Sequence, residues 1–348
     1  MVSRIIGILV FLSPVLSTRC LAMSAKSFSD LTETMHGFQE SRILLTAVEL
    51  DVFTAVGQGA TGTEVSKRLH TNARATEVLL NALVAMGALV KKNGTFSNTP
   101  DTARYLVAGS PDDARPALMH TVHMFQSWAT LTDCVRTGTA VLPPGVDKQE
   151  PQWTQSFIAA MHRGAEGTAG QLVRSVGVRG ARRLLDIGGG SGAYSIAFAK
   201  ASPELRAEVL DLAAVVPIAR KHIEEAGLTD RITTRIGDLT ADEFGKDYDL
   251  ILLSAICHML DPEQNQDLFR RCYRATARGG RIVIRDFILE PDRTAPKWVA
   301  LFAINMLVGT KSGSTYTEAE YKAWLTGAGF AGFTRTDPAG DIIVANRP

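Results

Sequence analysis

The sequence predicts an α/β protein in which a doubly wound, mostly parallel sheet follows a helical N-terminal region. Two observations support this fold class. Beyond residue 180, short apolar strands alternate with helical stretches, which is typical of a parallel sheet with helices on both faces. From Phe28 to about Gly109, by contrast, apolar residues recur mainly at helical spacing. The chain of 348 residues is long enough for two domains.

Composition and charge are those of an ordinary globular protein. Hydrophobic residues make up 45% of the chain, charged residues 21%, and the net charge is +1. Such a balance creates no global field that would recruit nucleic acid. The four cysteines show no C-x-x-C spacing, which predicts neither a disulfide framework nor a structural zinc site. We therefore expect no metal and no nucleic-acid partner.

The first 22 residues have two interpretations. Arg4 precedes the apolar run Ile5–Leu16, which Pro14 interrupts, and this pattern is typical of a signal peptide or an organelle presequence. The run is too short to predict a membrane span. In the other interpretation, translation starts at Met23. We expect a cytoplasmic protein without stable membrane association, and targeting to an organelle or export is the alternative.

Residues 23–110 predict a winged-helix-like domain. Helices are expected at Thr63–Leu69 and Ala75–Leu89, and a small hairpin should then turn at Asn93-Gly94. The second helix has no cluster of basic residues to meet DNA phosphates, which favours a dimerisation module over DNA binding. Because a lone small domain would leave apolar helix faces uncovered, we predict a homodimer through this region.

Residues 111–180 predict a helical linker that contributes to a substrate pocket. His120 and Met124 would share one helix face, and Trp128 would follow one turn later. An aromatic-rich core helix is the alternative interpretation. No further ligands fall at a useful spacing from His120 and His123, so the segment does not indicate a metal site.

Leu184–Gly192, which reads Leu-Leu-Asp-Ile-Gly-Gly-Gly-Ser-Gly, is the most informative segment. It joins an apolar strand to a helix, and Asp211 ends the next strand. Doubly wound domains bind adenosine-containing cofactors in this way. The glycines allow the backbone to approach the cofactor closely, and the acid at the end of the second strand, here Asp211, accepts hydrogen bonds from ribose. A nicotinamide dinucleotide is the alternative, but Asp186 would oppose its pyrophosphate. The charge of Asp186 suits the ammonium and sulfonium of S-adenosylmethionine.

Polar side chains also follow the other strands of residues 181–348, which we predict to be the cofactor-binding domain. Ligands of such sheets bind at the carboxyl ends of the strands. The candidates at these ends are Asp186, Asp211, Asp238, Ser254, His258 and Asp286. Their convergence predicts that cofactor binding and chemistry occur at one edge of the sheet.

The order of these signals resembles the small-molecule O-methyltransferases of the caffeate and acetylserotonin type, including their bacterial relatives. The resemblance covers the chain from about Phe28 to the C-terminus. Besides the glycine turn, its marks are Asp211-Leu212, Gly237-Asp238, His258 after an apolar strand, Gly279-Gly280 and Gly327–Phe330. It implies a class I methyltransferase with a Rossmann-like sheet. It also implies an N-terminal domain that dimerises and lends residues to the partner's pocket.

The resemblance implies roles for individual residues. His258 matches the general base, and Asp286 matches the position of an acid that orients it. We expect the cofactor to be bound by Asp186, Gly188, Gly190, Asp211, Leu212, Gly237, Asp238, Leu239, Ser254 and Met161. We expect the small-molecule acceptor to contact His120, Met124, Trp128, Phe157, Trp298, Phe302 and Met306.

Departures from the family pattern leave the acceptor atom open. Met259-Leu260 stands where plant members usually carry Asp-Trp, a second acid is missing near Thr315, and a basic residue before the histidine has no clear match. A hydroxyl acceptor needs a base such as His258, whereas a thioether needs none. The sequence predicts methyl transfer to a hydroxyl of a small aromatic molecule. S-methylation of a small thiol or thioether, such as a methylthio-hydroxy acid, is the alternative.

Overall fold

The computed structural model describes residues 25–142, 151–336 and 342–348. It separates into two compact units between Phe125 and Gln126. This division falls inside one helix and between the boundaries at 110 and 180 that the sequence suggested. Residues 1–22 lie outside the described part, so both interpretations of that segment remain predictions. No helix among the described residues is long and apolar enough to cross a membrane.

The first unit consists of helices and a small antiparallel sheet of strand order β1-β3-β2. Its hairpin turns at Asn93-Gly94, where both residues have positive φ, and this confirms the predicted turn. Buried side chains such as Phe53, Leu80 and Phe96 form its core. The elements are α1 (Phe28–His36), α2 (Phe38–Glu49), α3 (Val52–Val56), β1 (Ala60–Thr61), α4 (Gly62–Leu69), α5 (Ala73–Ala85), β2 (Leu89–Lys92), β3 (Thr95–Asn98), α6 (Pro100–Tyr105) and α7 (Arg115–Trp128).

The second unit alternates strands and helices, as the sequence predicts. A short 3₁₀ helix, Cys257–Met259, follows its central strand. The other elements are α8 (Leu131–Thr137), α9 (Pro151–Val176), β4 (Arg183–Ile187), α10 (Ala193–Ala201), β5 (Arg206–Asp211), α11 (Val216–Glu225), β6 (Ile232–Ile236), β7 (Tyr248–Ser254), α12 (Pro262–Ala275), β8 (Thr276–Arg285), β9 (Ile288–Leu289), α13 (Lys297–Gly309), β10 (Tyr316–Thr317), α14 (Glu318–Ala328), β11 (Ala331–Arg335) and β12 (Ile342–Asn346).

The main sheet of the described residues has the order β11-β12-β8-β7-β4-β5-β6. Strands β4 to β8 run parallel, whereas β12 pairs antiparallel with β8 and β11. Residues 250–253 of β7 form a wholly apolar run, which predicts a central strand, and β7 does lie at the centre of the sheet. Helices α9, α10 and α11 pack on one face, and α12 and α14 pack on the other. These observations confirm the doubly wound α/β architecture.

One predicted boundary is wrong. The sequence predicts a helix over Asp267–Ala277 that Gly279-Gly280 would end, but α12 spans Pro262–Ala275 and both glycines lie within β8. The helix starts earlier than expected because Asp261 caps its first turn. Gly280 instead serves strand pairing, since an added Cβ would lie 3.0 Å from the carbonyl oxygen of Tyr248. A glycine in a strand marks close backbone approach as readily as a helix end.

Candidate functional site

The turn after β4 has a backbone conformation and a close packing that require glycine at several of its positions. Gly188, Gly190 and Gly192 have φ values of +66°, +58° and +76°, a region that other residues adopt only with strain. A Cβ on Gly188 would lie 2.3 Å from Cδ1 of Ile256. The Gly188 amide donates a hydrogen bond of 2.8 Å to the Leu210 carbonyl. The side chain of Ile256 thus packs directly against the turn and leaves no room for a Cβ at Gly188.

Asp211 joins the end of β5 to this turn. One carboxylate oxygen accepts a 2.7 Å hydrogen bond from the Gly190 amide, and the other accepts one of the same length from the Leu212 amide. Burial raises the pKa of Asp211, although both amide hydrogen bonds oppose the shift. The Gly237 amide donates to the Asp211 carbonyl at 3.0 Å. Three other predicted cofactor residues, Gly190, Leu212 and Gly237, are therefore connected through Asp211.

Asp186 lies beneath the turn and does not project from it. Its side chain is 1% exposed, and a Cβ on Gly189 would lie 2.8 Å from its carboxyl carbon. Oδ2 accepts a 2.8 Å hydrogen bond from Ser195, while Oδ1 has no partner among the residues that the structure describes. Burial raises the pKa of Asp186 to about 7, and the nearby charge of Asp211 adds to the shift.

The remaining predicted cofactor residues surround the turn. Asp238 is exposed, and its carboxylate accepts a hydrogen bond from the Thr240 amide. Leu239 lies 3.6 Å from the position of a Cβ on Gly188. The Ser254 hydroxyl is buried and has no partner within the described ranges. The Ser254 hydroxyl at this strand end, unpaired within the described ranges, fits a site that holds a polar cofactor, whereas the unpaired oxygen of Asp186 lies beneath the turn.

His258 and Asp286 form a buried pair at the ends of β7 and β8. Nδ1 of His258 lies 2.6 Å from Oδ1 of Asp286, and the His258 amide donates to Oδ2 at 3.1 Å. The Phe287 amide donates a third hydrogen bond to this carboxylate at 2.8 Å. Burial acts to raise the pKa of Asp286, but the His258 charge and these hydrogen bonds outweigh it, so the pKa is lowered.

The ionised Asp286 determines the tautomer of the histidine. A carboxylate only accepts hydrogen bonds, so Nδ1 of His258 carries a proton, and in the neutral imidazole Nε2 is the nitrogen that presents a lone pair. Nε2 has no hydrogen-bond partner among the described residues. The imidazole stacks on Phe287, with ring centres 5.2 Å apart, and meets the ring of Phe302 edge-on at 5.0 Å. The histidine is thus oriented by one carboxylate and bordered by aromatic rings.

Helix α13 brings further predicted substrate residues to this pair. Trp298 meets Phe287 at a ring distance of 5.1 Å, and Met306 is buried on the same helix. Trp128 donates a 2.9 Å hydrogen bond from its indole nitrogen to Asn305, which is one turn from Phe302. Predicted aromatic residues from two distant segments, α7 and α13, therefore belong to one connected group that reaches His258.

For the other predicted site residues, the structure shows on which helix each one lies. Phe157 and Met161 lie on α9, whose Ile158 is 3.9 Å from the position of a Cβ on Gly190. His120 and Met124 lie on α7 in the first unit, where burial lowers the pKa of His120 to about 4. Their contact with an acceptor stays a prediction. In the described part of the chain, no group of three His, Cys, Asp or Glu side chains could hold a metal ion.

Several residues at the site were not singled out from the sequence. Phe287 directly follows Asp286, and its position after a strand end was an available signal. His162 has no surrounding motif that predicts a role, yet its Nδ1 lies 2.8 Å from the Ser191 hydroxyl in the glycine turn. Thr315, near which an acid was expected, is fully buried, and its hydroxyl has no partner among residues that the structure describes. No local pattern predicts the His162 and Thr315 environments.

Comparison with known proteins identifies the family. The O-methyltransferase domain family matches residues 128–331, and the O-methyltransferase dimerisation domain family matches residues 32–108. The chain is 36% identical to 3-hydroxy-5-methyl-1-naphthoate 3-O-methyltransferase of Streptomyces sahachiroi, over 86% of this chain and 88% of that protein. It is 29% identical to acetylserotonin O-methyltransferase of Bos taurus, over 94% and 99%.

A solved structure agrees with these relatives. PigF with SAH superimposes with a TM-score of 0.85 at 26% identity, covering 92% of this chain and 100% of that one. The family uses S-adenosylmethionine as its methyl donor, which confirms the predicted cofactor. The chain therefore belongs to the family of S-adenosylmethionine-dependent O-methyltransferases.

Proposed function

We propose that this enzyme methylates a hydroxyl group of a small aromatic molecule and that His258 is the general base. The observation that carries the proposal is the buried His258–Asp286 pair, in which Nδ1 is held by a carboxylate and Nε2 is left without a partner in the described chain. The rings of Phe287 and Phe302 contact the His258 imidazole and Trp298 contacts Phe287, so the three rings form an apolar wall beside the histidine. Such a wall suits an aromatic acceptor.

Different residues have different roles in methyl transfer. The bound cofactor supplies an electrophilic methyl group on a sulfonium. His258 Nε2 accepts the proton of the acceptor hydroxyl, and the imidazolium that forms is stabilised by the Asp286 carboxylate. The aromatic wall orients the acceptor and excludes water. When the cofactor is bound, Gly188 and Gly190 would present backbone to it, Asp211 would accept hydrogen bonds from its ribose, and Asp238 and Leu239 would hold its adenine.

The intact pair favours a hydroxyl acceptor over sulfur. Asp286 is 1% exposed and ionised, and keeping a buried charge requires specific partners. A thioether acceptor has no proton to lose, so its methylation would not need the His258–Asp286 pair as a general base. The Streptomyces relative that is 36% identical is named for methylating a hydroxyl of a naphthoate. Both points support oxygen as the acceptor atom.

Substitution of the base tests this proposal. His258→Ala should lower the turnover rate on a phenolic acceptor ~10²–10⁴-fold, while calorimetry should show unchanged affinity for S-adenosylhomocysteine. His36→Ala, which changes an exposed histidine of α1, is the matched control and should leave the rate unchanged. A fully active His258→Ala enzyme on a phenol would contradict the mechanism. Activity restricted to thioethers, with a rate independent of His258, would establish the sulfur alternative.

The dimerisation domain also acts, in our proposal, to form a homodimer. Helix α1 buries none of its residues, and Phe28, Met35 and Phe38 are 81%, 62% and 57% exposed. An apolar surface of this kind on a soluble domain marks an interface. Light scattering at micromolar concentration should give the dimer mass, and Met35→Glu should shift it towards the monomer. A wild-type monomer under these conditions would refute the homodimer.

A further inference from the structure

Arg285 occupies a distinctive position at the end of β8, directly before Asp286. Val283, two residues earlier, packs with the helices α9 and α10, and side chains alternate along a strand. Arg285 therefore lies on the α9–α10 face, and Asp286 lies on the opposite face with His258. The Arg285 guanidinium is 5.7 Å from the ring centre of Tyr194, in the first turn of α10 after the glycine turn.

The guanidinium of Arg285 has no anionic partner. The residue is half-buried, and among the described residues its head group makes no hydrogen bond or ion pair, only the contact with Tyr194. Five other half-buried arginines of the second unit, and the buried Arg271, donate to a carbonyl or carboxylate oxygen: Arg231, Arg235, Arg281, Arg335 and Arg347 are the half-buried ones. A cation partly removed from water without a partner is unfavourable. The unpaired guanidinium therefore indicates a missing anion.

A second unpaired donor lies opposite Arg285. The strand register pairs Arg285 with Ser254 at the end of β7, and the Ser254 hydroxyl is buried without a partner in the described ranges. The N-terminus of α10, whose first amides have no intrahelical acceptor, is near the same arginine through Tyr194. These are all hydrogen-bond donors at one edge of the sheet. A carboxylate is the anion that a guanidinium binds through two parallel hydrogen bonds.

We propose that Arg285 binds a carboxylate at the methyl-transfer site and acts there as a positioning residue. Two molecules of this reaction can supply that group. The cofactor carries a carboxylate at its amino-acid end, next to the glycine turn. An aromatic hydroxy acid would carry one as the acceptor, and this part of the inference rests on the proposed function. The chemistry of recognition is the same in both cases, and two binding comparisons separate them.

The first comparison concerns the cofactor. Calorimetry is performed with S-adenosylhomocysteine and with 5′-methylthioadenosine, which lacks the amino-acid end. If Arg285 binds the cofactor carboxylate, Arg285→Met weakens S-adenosylhomocysteine ~10–100-fold, the usual loss for a charged hydrogen bond, and leaves 5′-methylthioadenosine unchanged. Arg285→Lys should recover part of the loss. Arg281→Met is the matched control, because Arg281 lies on the same strand and face but donates to Gly177, and it should change neither affinity.

The second comparison concerns the acceptor. Binding of 3-hydroxy-1-naphthoate and of 2-naphthol is measured on the complex with S-adenosylhomocysteine. If Arg285 binds the acceptor carboxylate, Arg285→Met weakens the acid ~10-fold or more and leaves the naphthol unchanged. One ratio compares the affinities for S-adenosylhomocysteine and 5′-methylthioadenosine, and the other compares those for the naphthoate and the naphthol. The inference is overturned if Arg285→Met changes neither ratio or lowers all four affinities alike. If wild-type enzyme binds neither naphthalene, the acceptor class is wrong, and the first comparison alone decides the role of Arg285.

Discussion

Two buried acids at the same sheet edge, Asp186 in the cofactor region and Asp286 beside His258, have opposite electrostatic properties. Each side chain is 1% exposed. The pKa of Asp186 is raised to about 7, whereas the pKa of Asp286 is lowered. Asp186 has one hydroxyl partner and a neighbouring acid, while Asp286 has an imidazole and two backbone amides. Partners, more than burial, therefore determine whether a buried carboxyl is ionised.

The difference fits the roles proposed for the two regions. An ionised Asp286 can hold the His258 tautomer and stabilise the imidazolium that forms during proton transfer. Asp186, half-neutral near pH 7, instead supports the turn from beneath through Ser195. The difference between the two acids can be tested by removing either carboxyl group, by changing the pH, or by substituting residues that contact the glycine turn.

The largest expected effect is on stability when the paired acid is removed. Asp286→Ala leaves the His258 and Phe287 donors buried without an acceptor, and we expect the free energy of unfolding to fall by about 3–5 kcal/mol. Asp186→Ala removes one hydrogen bond from a rotatable hydroxyl and should lower it by about 1–3 kcal/mol. Urea denaturation of the cofactor-free enzyme measures both. Equal losses would contradict the difference between the two sites.

The pH dependence of stability should show the same difference. The raised pKa of Asp186 means that the unfolded state releases its proton first, so stability falls as the pH rises from about 4 to about 7. Between pH ~5 and ~7 this amounts to on the order of 2–3 kcal/mol. The lowered pKa of Asp286 contributes stability above about pH 4, and that contribution is lost on further acidification. Asp186→Asn should remove the first slope and keep the second.

Asp211 offers an intermediate effect, on cofactor affinity. Its carboxylate holds the Gly190 and Leu212 amides, and we propose that it also binds ribose. Asp211→Ala should weaken S-adenosylhomocysteine by about 1–3 kcal/mol in calorimetry, the cost of lost buried hydrogen bonds. NAD should remain a non-binder in both proteins. An unchanged affinity would remove Asp211 from the cofactor site and leave it only a structural role.

The smallest expected effect concerns the support of the turn by α9. His162 bonds Ser191, and its ring stacks on His222 at 4.0 Å. His162→Ala should weaken S-adenosylhomocysteine by about 0.5–1.5 kcal/mol, the worth of one neutral hydrogen bond, because the turn loses an external contact but keeps its own backbone bonds. Ser191→Ala should give the same loss, and the double variant should add little. Additive losses would show that the two residues act separately.

Local patterns predicted the strands, the glycine turn and the hairpin at Asn93-Gly94 because each depends on neighbours within a few residues. The end of α12 was mispredicted because Gly280 satisfies a requirement of strand pairing that only the neighbouring strand β7 reveals. Trp128 and Asn305, which form one hydrogen bond, are 177 residues apart. Contacts of that kind have no sequence pattern, since they depend on how packed elements meet.

The sequence alone determined which acids and which histidine would stand at one edge of the sheet. Parallel strands joined by helices bring their carboxyl ends to the same side, so chain order suffices to place Asp186, Asp211, His258 and Asp286 there. Only the tertiary structure decided the charge of each acid and the freedom of His258 Nε2. Those properties depend on solvent exclusion and on partners from other strands and helices, which act through space and not along the chain.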